Sequence, residues 1–143
     1  DGLAVAGDLF DTRYGSYSNP NFDPDGIKKD LSCFSKPFYY VYGNCDVESY
    51  LPGYLNELNF TWAGRSICLS HGHRKASCGQ HTDIFITGHT HLAKLETQGR
   101  RIYFNPGTIS SPRSKFLTYG VLDQDHIGLV NLKTGKEIQS VRF

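Results

Sequence analysis

Four short apolar runs, each halted by a block of glycine with aspartate, asparagine or histidine, constrain this chain more than any other feature. Leu3-Ala4-Val5-Ala6 stops at Gly7-Asp8, and Phe38-Tyr39-Tyr40-Val41-Tyr42 stops at Gly43-Asn44-Cys45-Asp46. Residues 66–70 run into His71-Gly72-His73, and residues 83–87 into Gly88-His89-Thr90-His91. Runs of this length suit buried strands of a largely parallel sheet. In open α/β sheets the carboxyl ends of the strands line the ligand crevice, so these four polar blocks are expected to converge although they are far apart in the chain.

The remaining pattern supplies one helix and more strands. A loop rich in Tyr, Gly, Ser, Asn and Pro over 13–24 leads to 24–34, where Ile27, Leu31 and Phe34 recur at helical spacing. Pro52-Gly53 breaks any helix over 49–58, which reads as irregular with at most a helical turn. Residues 60–62 and 66–70 flank Ala63-Gly64-Arg65 as a hairpin. From Leu92 onward the chain alternates strands, at 94–97, 101–104, 119–122, 127–132 and 137–141, with turns at Gln98-Gly99 and Asn105-Pro106-Gly107. No repeat or linker divides the chain, so 1–143 reads as a single domain of the α/β (α+β) class: a βαβ unit followed by a strand meander.

Composition removes several classes of function. With 143 residues the chain is long enough for a conventional core. Its net charge of +1, with no block of like charges, argues against bulk nucleic-acid binding and against attraction to an anionic membrane. No apolar stretch approaches the roughly twenty residues a membrane-spanning helix needs, and no basic-flanked apolar leader opens the chain. Cys33, Cys45, Cys68 and Cys78 form no Cys-x-x-Cys pair and no dense framework, so reduced thiols and a cytoplasmic location are expected. The sequon at Asn59 carries no weight on that reading.

The convergent blocks carry the chemistry. Six histidines placed at random would give roughly a quarter of one His-x-His pair, whereas this chain has two, each directly after an expected strand. Imidazole nitrogen with carboxylate and amide oxygen is a borderline-to-hard donor set, suited to Mn, Fe, Zn or Ni. Two such cations sharing one carboxylate activate a hydroxide for in-line attack on phosphorus and neutralise the phosphoryl oxygens, a mechanism that needs no nucleophilic side chain.

The blocks Gly7-Asp8-Leu9-Phe10-Asp11, Gly43-Asn44-Cys45-Asp46, His71-Gly72-His73, Gly88-His89-Thr90-His91 and Asn105-Pro106-Gly107-Thr108 resemble, in order and spacing, those of the calcineurin-like metallophosphoesterases, and within them the small stand-alone phosphodiesterases of bacteria and archaea. The resemblance covers about residues 2–112. It implies a metallophosphoesterase β-sandwich flanked by helices. It further implies that Asp8 bridges two divalent metals, Mn first among Mn, Fe, Zn, Ni and Mg. Asn44, His71 and His89 complete one metal's ligands and His91 serves the other. Asn44, Cys45, Asp46 and His73 are then the candidate catalytic groups around the metals, and the substrate is a small or nucleotide-like phosphodiester; a homo-oligomer is compatible with all of this.

Two departures qualify the implication. The family's second metal also takes Asp and His from an Asp-x-His strand upstream of the Gly-Asp block, and only seven residues precede Asp8. The chain as given therefore lacks the fold's first β-α unit. One metal keeps Asp8, Asn44, His71 and His89, while the other keeps Asp8 and His91 and is expected to bind weakly or not at all. The same loss is expected to leave an unpaired sheet edge. The absence of Met and the start at Asp1 point to a longer natural chain that carries the segment. The second departure is Cys45, where many members have a His that protonates the leaving group; a thiol of ordinary pKa is a poor substitute, which favours diesters with good leaving groups.

Plainer roles compete for several of these residues. Asp8 could cap a loop, Asn44 could be a turn residue, and Asp46 is expected to shape its loop rather than bind metal. His73 divides evenly between substrate contact and hydrogen-bonding to a ligand. Asn105-Pro106-Gly107 is expected to brace the site structurally. Arg113 could meet a phosphate but is expected to be solvated, His81 and His126 have no companions and are assigned to the surface, and Tyr14 and Tyr17 could wall a substrate pocket. Besides a metal-dependent phosphodiesterase, the fold also admits a phosphomonoesterase and a scaffold like the metallophosphoesterase-like subunit of retromer. Because Asn44, His71, His89 and His91 are all present, the enzyme is favoured.

Overall fold

The computed structural model describes residues 1–14, 21–110, 113 and 115–143. The expected βαβ unit is formed by β1 (Leu3–Val5), α1 (Pro24–Ser32) and β2 (Phe38–Tyr40), with β1 and β2 parallel in the register Leu3 to Phe38, Ala4 to Tyr39 and Val5 to Tyr40. The start of α1 is fixed by local chemistry. The Asp23 carboxylate accepts from Gly26 N at 2.8 Å, Pro24 occupies the first turn where its missing N–H is no loss, and Asp25 faces the positive end of the helix dipole. The helix ends at Ser32, two residues before the expected Phe34, as the Cys33 N–H turns back to the Asp30 carbonyl and the Phe34 N–H to the Leu31 carbonyl, each at 3.1 Å. Ile27 and Leu31 pack on an aromatic cluster of Phe10, Tyr40 and Tyr42.

A five-stranded mixed sheet follows in the order β3-β4-β5-β7-β6, made of β3 (Glu57–Trp62), β4 (Arg65–Ser70), β5 (Ile84–Ile86), β6 (Lys94–Gln98) and β7 (Arg101–Asn105). The β3–β4 hairpin turns on Ala63 and Gly64, both with positive φ (49° and 74°), the conformation a two-residue hairpin needs. Strand β3 begins at Glu57, three residues earlier than expected, because Leu55 already bridges Val41 and delivers the chain to the sheet in an extended form. Strand β4 lies inside the sheet between β3 and β5, and Ile67, Cys68, Leu69 and Ser70 are all buried; β5 is central and runs parallel to both β4 and β7.

The chain closes with an antiparallel sheet of β8 (Thr118–Leu122), β9 (His126–Asn131) and β10 (Glu137–Arg142), in the order β10-β9-β8. Ile127 and Leu129 from this sheet join Ile67, Leu69, Ile84, Ile102 and Phe104 of the larger one in a single core, the layered arrangement of a sandwich. Gly120 lies against the Phe104 ring, where a β-carbon would collide with it. Among the described residues α1 is the one helix, and β1 pairs on one edge only, leaving Leu3 39 % exposed. No described helix is long and apolar enough to cross a membrane.

Two sequence expectations are corrected. Cys68 and Cys78 are joined in a disulfide with their Cα atoms 5.9 Å apart, because the loop after β4 folds back on the strand it leaves; Cys33 and Cys45 are free. His126 has a companion: its Nε2 lies 2.6 Å from Glu137 Oε2, the two side chains meeting over Gly128, which has no β-carbon to separate them.

Candidate metal centre

The carboxyl ends of β1, β4 and β5 are drawn together by backbone contacts. Gly88 N–H donates to the His71 carbonyl at 3.0 Å, and a β-carbon on Gly88 would stand 2.6 Å from the Ala6 carbonyl oxygen. Any other residue would push β1 away from β5. Gly43 performs the same service between β1 and β2, since a β-carbon there would overlap the Asp8 carboxylate. The loop chemistry follows: Asp8, His89 and His91 all sit at positive φ (54°, 64° and 60°), a conformation L-residues adopt only under constraint and one that clusters at functional sites.

Within this frame Asp8, His71 and His89 present one donor atom each, all within 4.8 Å of one another. Asp8 Oδ2 and Asn44 Oδ1 each lie 3.1 Å from His71 Nε2. The His71 ring is 98 % buried and oriented from behind by the Ala6 carbonyl, 2.6 Å from Nδ1. With Nδ1 donating its proton to Ala6, Nε2 points toward the two oxygens with the lone pair a cation requires. In the metal-free protein a proton takes that place. Burial works against charge on both partners, but their mutual hydrogen bond, with Cys45 N–H to Asp8 and the Ala6 carbonyl to His71, outweighs it: Asp8 lies below the usual carboxylate range and His71 above the usual imidazole range. A pocket of two oxygens and two imidazoles around one proton fits a borderline divalent cation.

Asp46 is 98 % buried and gives its carboxylate to three backbone amides: Asp8 N at 2.7 Å, Gly43 N at 2.9 Å and Phe10 N at 3.1 Å. It is thus a positioning residue, clamping the loops that carry Asp8 and Asn44, which agrees with its expected loop-shaping role. Cys45 Sγ accepts from Asn44 Nδ2 at 3.3 Å, and burial, then the Asp8 and Asp11 carboxylates, push its thiol up to about 12. Burial likewise raises Asp11. His73 stacks obliquely beside the site, its ring 5.1 Å from that of His71 and 6.2 Å from that of His89, with Nδ1 buried and lacking a hydrogen-bond partner. Burial and the neighbouring His71 and Arg74 hold it below the usual imidazole range, so it is neutral near pH 7.

Asn105 braces the His89 loop as expected. Its Nδ2 donates to the Gly88 carbonyl at 2.7 Å and to Thr90 Oγ1 at 3.1 Å, while its Oδ1 accepts from Gly107 N at 3.0 Å. His91 is half-buried on the same loop and lies outside the Asp8–His71–His89 group. Tyr14 is 70 % exposed and Arg113 and His81 are exposed, whereas Tyr17 falls outside the described residues. A second potential donor group, Glu57 with Cys68 and Cys78, is spent, because its sulfurs are bonded to each other. Sequence reasoning missed the Ala6 carbonyl, a backbone group with no residue signature, and Arg13, whose N–H donates to the Cys45 carbonyl at 2.9 Å.

Comparison with known proteins supplies the family. Residues 3–126 match the family model of the calcineurin-like phosphoesterase superfamily domain. The chain is 26 % identical to the phosphodiesterase YfcE of Escherichia coli over 97 % of its length and 81 % of the relative's. The solved structure of that E. coli phosphoesterase superimposes with a TM-score of 0.79, covering 98 % of this chain and 82 % of the other at 25 % identity. A Vps29 from Entamoeba histolytica, solved with Zn2+, shares the fold at 22 % identity with a TM-score of 0.58, over 82 % of this chain and 74 % of the other. This chain belongs to the calcineurin-like phosphoesterase superfamily.

Proposed function

We propose that the protein is a metal-dependent phosphodiesterase acting on small or nucleotide-like phosphodiesters. The observation that carries this is the convergence of Asp8, His71 and His89 within 4.8 Å, with Asn44 Oδ1 against the same imidazole nitrogen. These four residues would hold one divalent cation, with manganese the expected ion, and Asp8 with His91 would offer fewer ligands to a second. A bound cation supplies Lewis-acid charge to the phosphoryl oxygens and to the attacking water.

The chain's own groups do the rest. The Ala6 carbonyl fixes the His71 ring, and the Asp46 clamp holds Asp8 and Asn44 in register, so little reorganisation is needed when charge develops at phosphorus. Neutral His73 stands beside the centre to hydrogen-bond a phosphoryl oxygen. Cys45, a thiol with its pKa near 12, is too weak an acid to protonate a poor leaving group, so diesters of acidic alcohols are the better substrates. The likeness to the YfcE phosphodiesterase supports the reaction class.

The test is hydrolysis of bis(4-nitrophenyl) phosphate and of 4-nitrophenyl phosphate with and without Mn2+. Manganese-dependent diesterase activity, reduced by about 100-fold or more in Asp8→Asn and His89→Ala, is expected. Faster cleavage of the monoester would make the protein a phosphomonoesterase. No metal-stimulated turnover would favour a scaffold for protein contacts, a reading to which the fold shared with Vps29 lends support.

A further inference from the structure

The Cys68–Cys78 disulfide closes a ring, with a sequence separation of 10, around His71 and His73. Its two ends differ: Cys68 is buried in the middle of β4 at 1 % exposure, while Cys78 is partly exposed at the end of the loop. Residues 70–77, with Asn56 and Glu57, line a cavity of about 180 Å3 whose lining includes His71 and His73. Apart from the disulfide, among the described residues 72–77 are tied to the rest of the chain by a single hydrogen bond, from Ser77 N to Glu57 Oε2 at 2.6 Å. Arg74 and Lys75 are exposed at the loop's crest. His71, in contrast, is held by the Ala6 carbonyl and by Gly88 N–H, independently of the disulfide.

We propose that Cys68–Cys78 is a reversible thiol–disulfide latch that fixes the 71–78 loop, and with it the wall of the metal centre formed by His73. The consequence for catalysis rests on the phosphodiesterase reading, whereas the latch itself does not. Opening consumes two thiol equivalents, which one dithiol supplies. Its thiolate attacks the accessible Cys78 Sγ, the S–S bond breaks and Cys68 leaves as a thiolate that takes a proton from water. The second thiol of the reagent then displaces Cys78, so two electrons pass to the pair and the reagent becomes a disulfide. Closure is the reverse, with a low-molecular-weight disulfide as oxidant. The free thiols of Cys33 and Cys45 show that the chain is not a fully paired disulfide framework, and in such chains a lone, half-accessible disulfide is the exchangeable kind. Because His71 has its own anchors, opening releases His73 and the cavity wall while leaving the cation's ligands in place. The effect falls on KM.

The experiment uses the full chain carrying Cys33→Ser, which removes the exposed free thiol, after equilibration with glutathione disulfide or with dithiothreitol. Oxidised protein is expected to weigh about 2 Da less than reduced protein, the mass of the two hydrogens lost. Trypsin is expected to cut after Arg74 and Lys75 about tenfold more slowly in the oxidised form. The KM for bis(4-nitrophenyl) phosphate with Mn2+ is expected to be about threefold or more lower in the oxidised form, with kcat changed less. Cys78→Ser, and Cys68→Ala as a second variant, should show the reduced behaviour under both treatments. Equal masses, or equal cutting of the two forms, overturns the latch. Unequal cutting with equal KM overturns its coupling to the site. Absence of turnover in both forms counts against the phosphodiesterase reading alone, and the cutting rates then decide the latch.

Discussion

Asp46 shows how one buried side chain can organise a site without touching what is bound there. Three amide donors from two loops end on its carboxylate, so replacing it strands all three away from water. Asp46→Ala is expected to lower unfolding free energy by about 3 kcal/mol in urea titrations, and to weaken Mn2+ binding although no ligand is removed. A second residue-scale expectation concerns pH in the metal-free protein. The lowered Asp8 pKa contributes stability above its ordinary 3.8, lost as pH falls through the folded value; the raised His71 pKa contributes stability below its ordinary 6.5, lost as pH rises through the folded value. In EDTA, the difference in urea midpoint between wild type and Asp8→Asn should therefore be largest between pH 3.8 and 6.5 and shrink on both sides.

At the scale of elements, the site is made by loops that strands hold from behind. The loop after β5 owes its shape to Asn105 at the end of β7, and Asn105 in turn is held by the turn that follows, where Gly107 sits at φ 85° against Thr118 Oγ1. Asn105→Ala removes two donors and one acceptor from three part-buried hydrogen bonds, so a cost of about 2 kcal/mol is expected together with weaker metal binding, since the His89 loop loses its brace. Isothermal titration with Mn2+ beside urea unfolding separates the two effects. The strand blocks were legible in the sequence because apolar runs ending in glycine have few other uses. Bounds shifted where tertiary contacts intervened: β3 starts early because Leu55 has already paired with Val41. Nothing local signals that pairing.

For the whole molecule, the candidate centre gathers donors from three elements, with Asp8 following β1, His71 following β4 and His89 following β5. A cation held there bridges the two-stranded and five-stranded sheets, so it binds the folded form alone and must stabilise it. At 100 times its dissociation constant Mn2+ should add about 2.7 kcal/mol, seen as a rise in the melting temperature that EDTA reverses and Asp8→Ala abolishes.

The sequence by itself determined the order of the strands, the polar blocks at their carboxyl ends and the candidate donors, because alternation of apolar runs with glycine-punctuated polar groups is written residue by residue. It also carried the family resemblance, which the match over 3–126 bears out. Only the tertiary structure decided how far apart the donors stand, that Asp46 faces inward to amides, that the Ala6 carbonyl orients His71, and that Cys78 returns to Cys68. Those depend on where a turning backbone places atoms many residues apart, and a sequence specifies such meetings only through the packing of the whole chain.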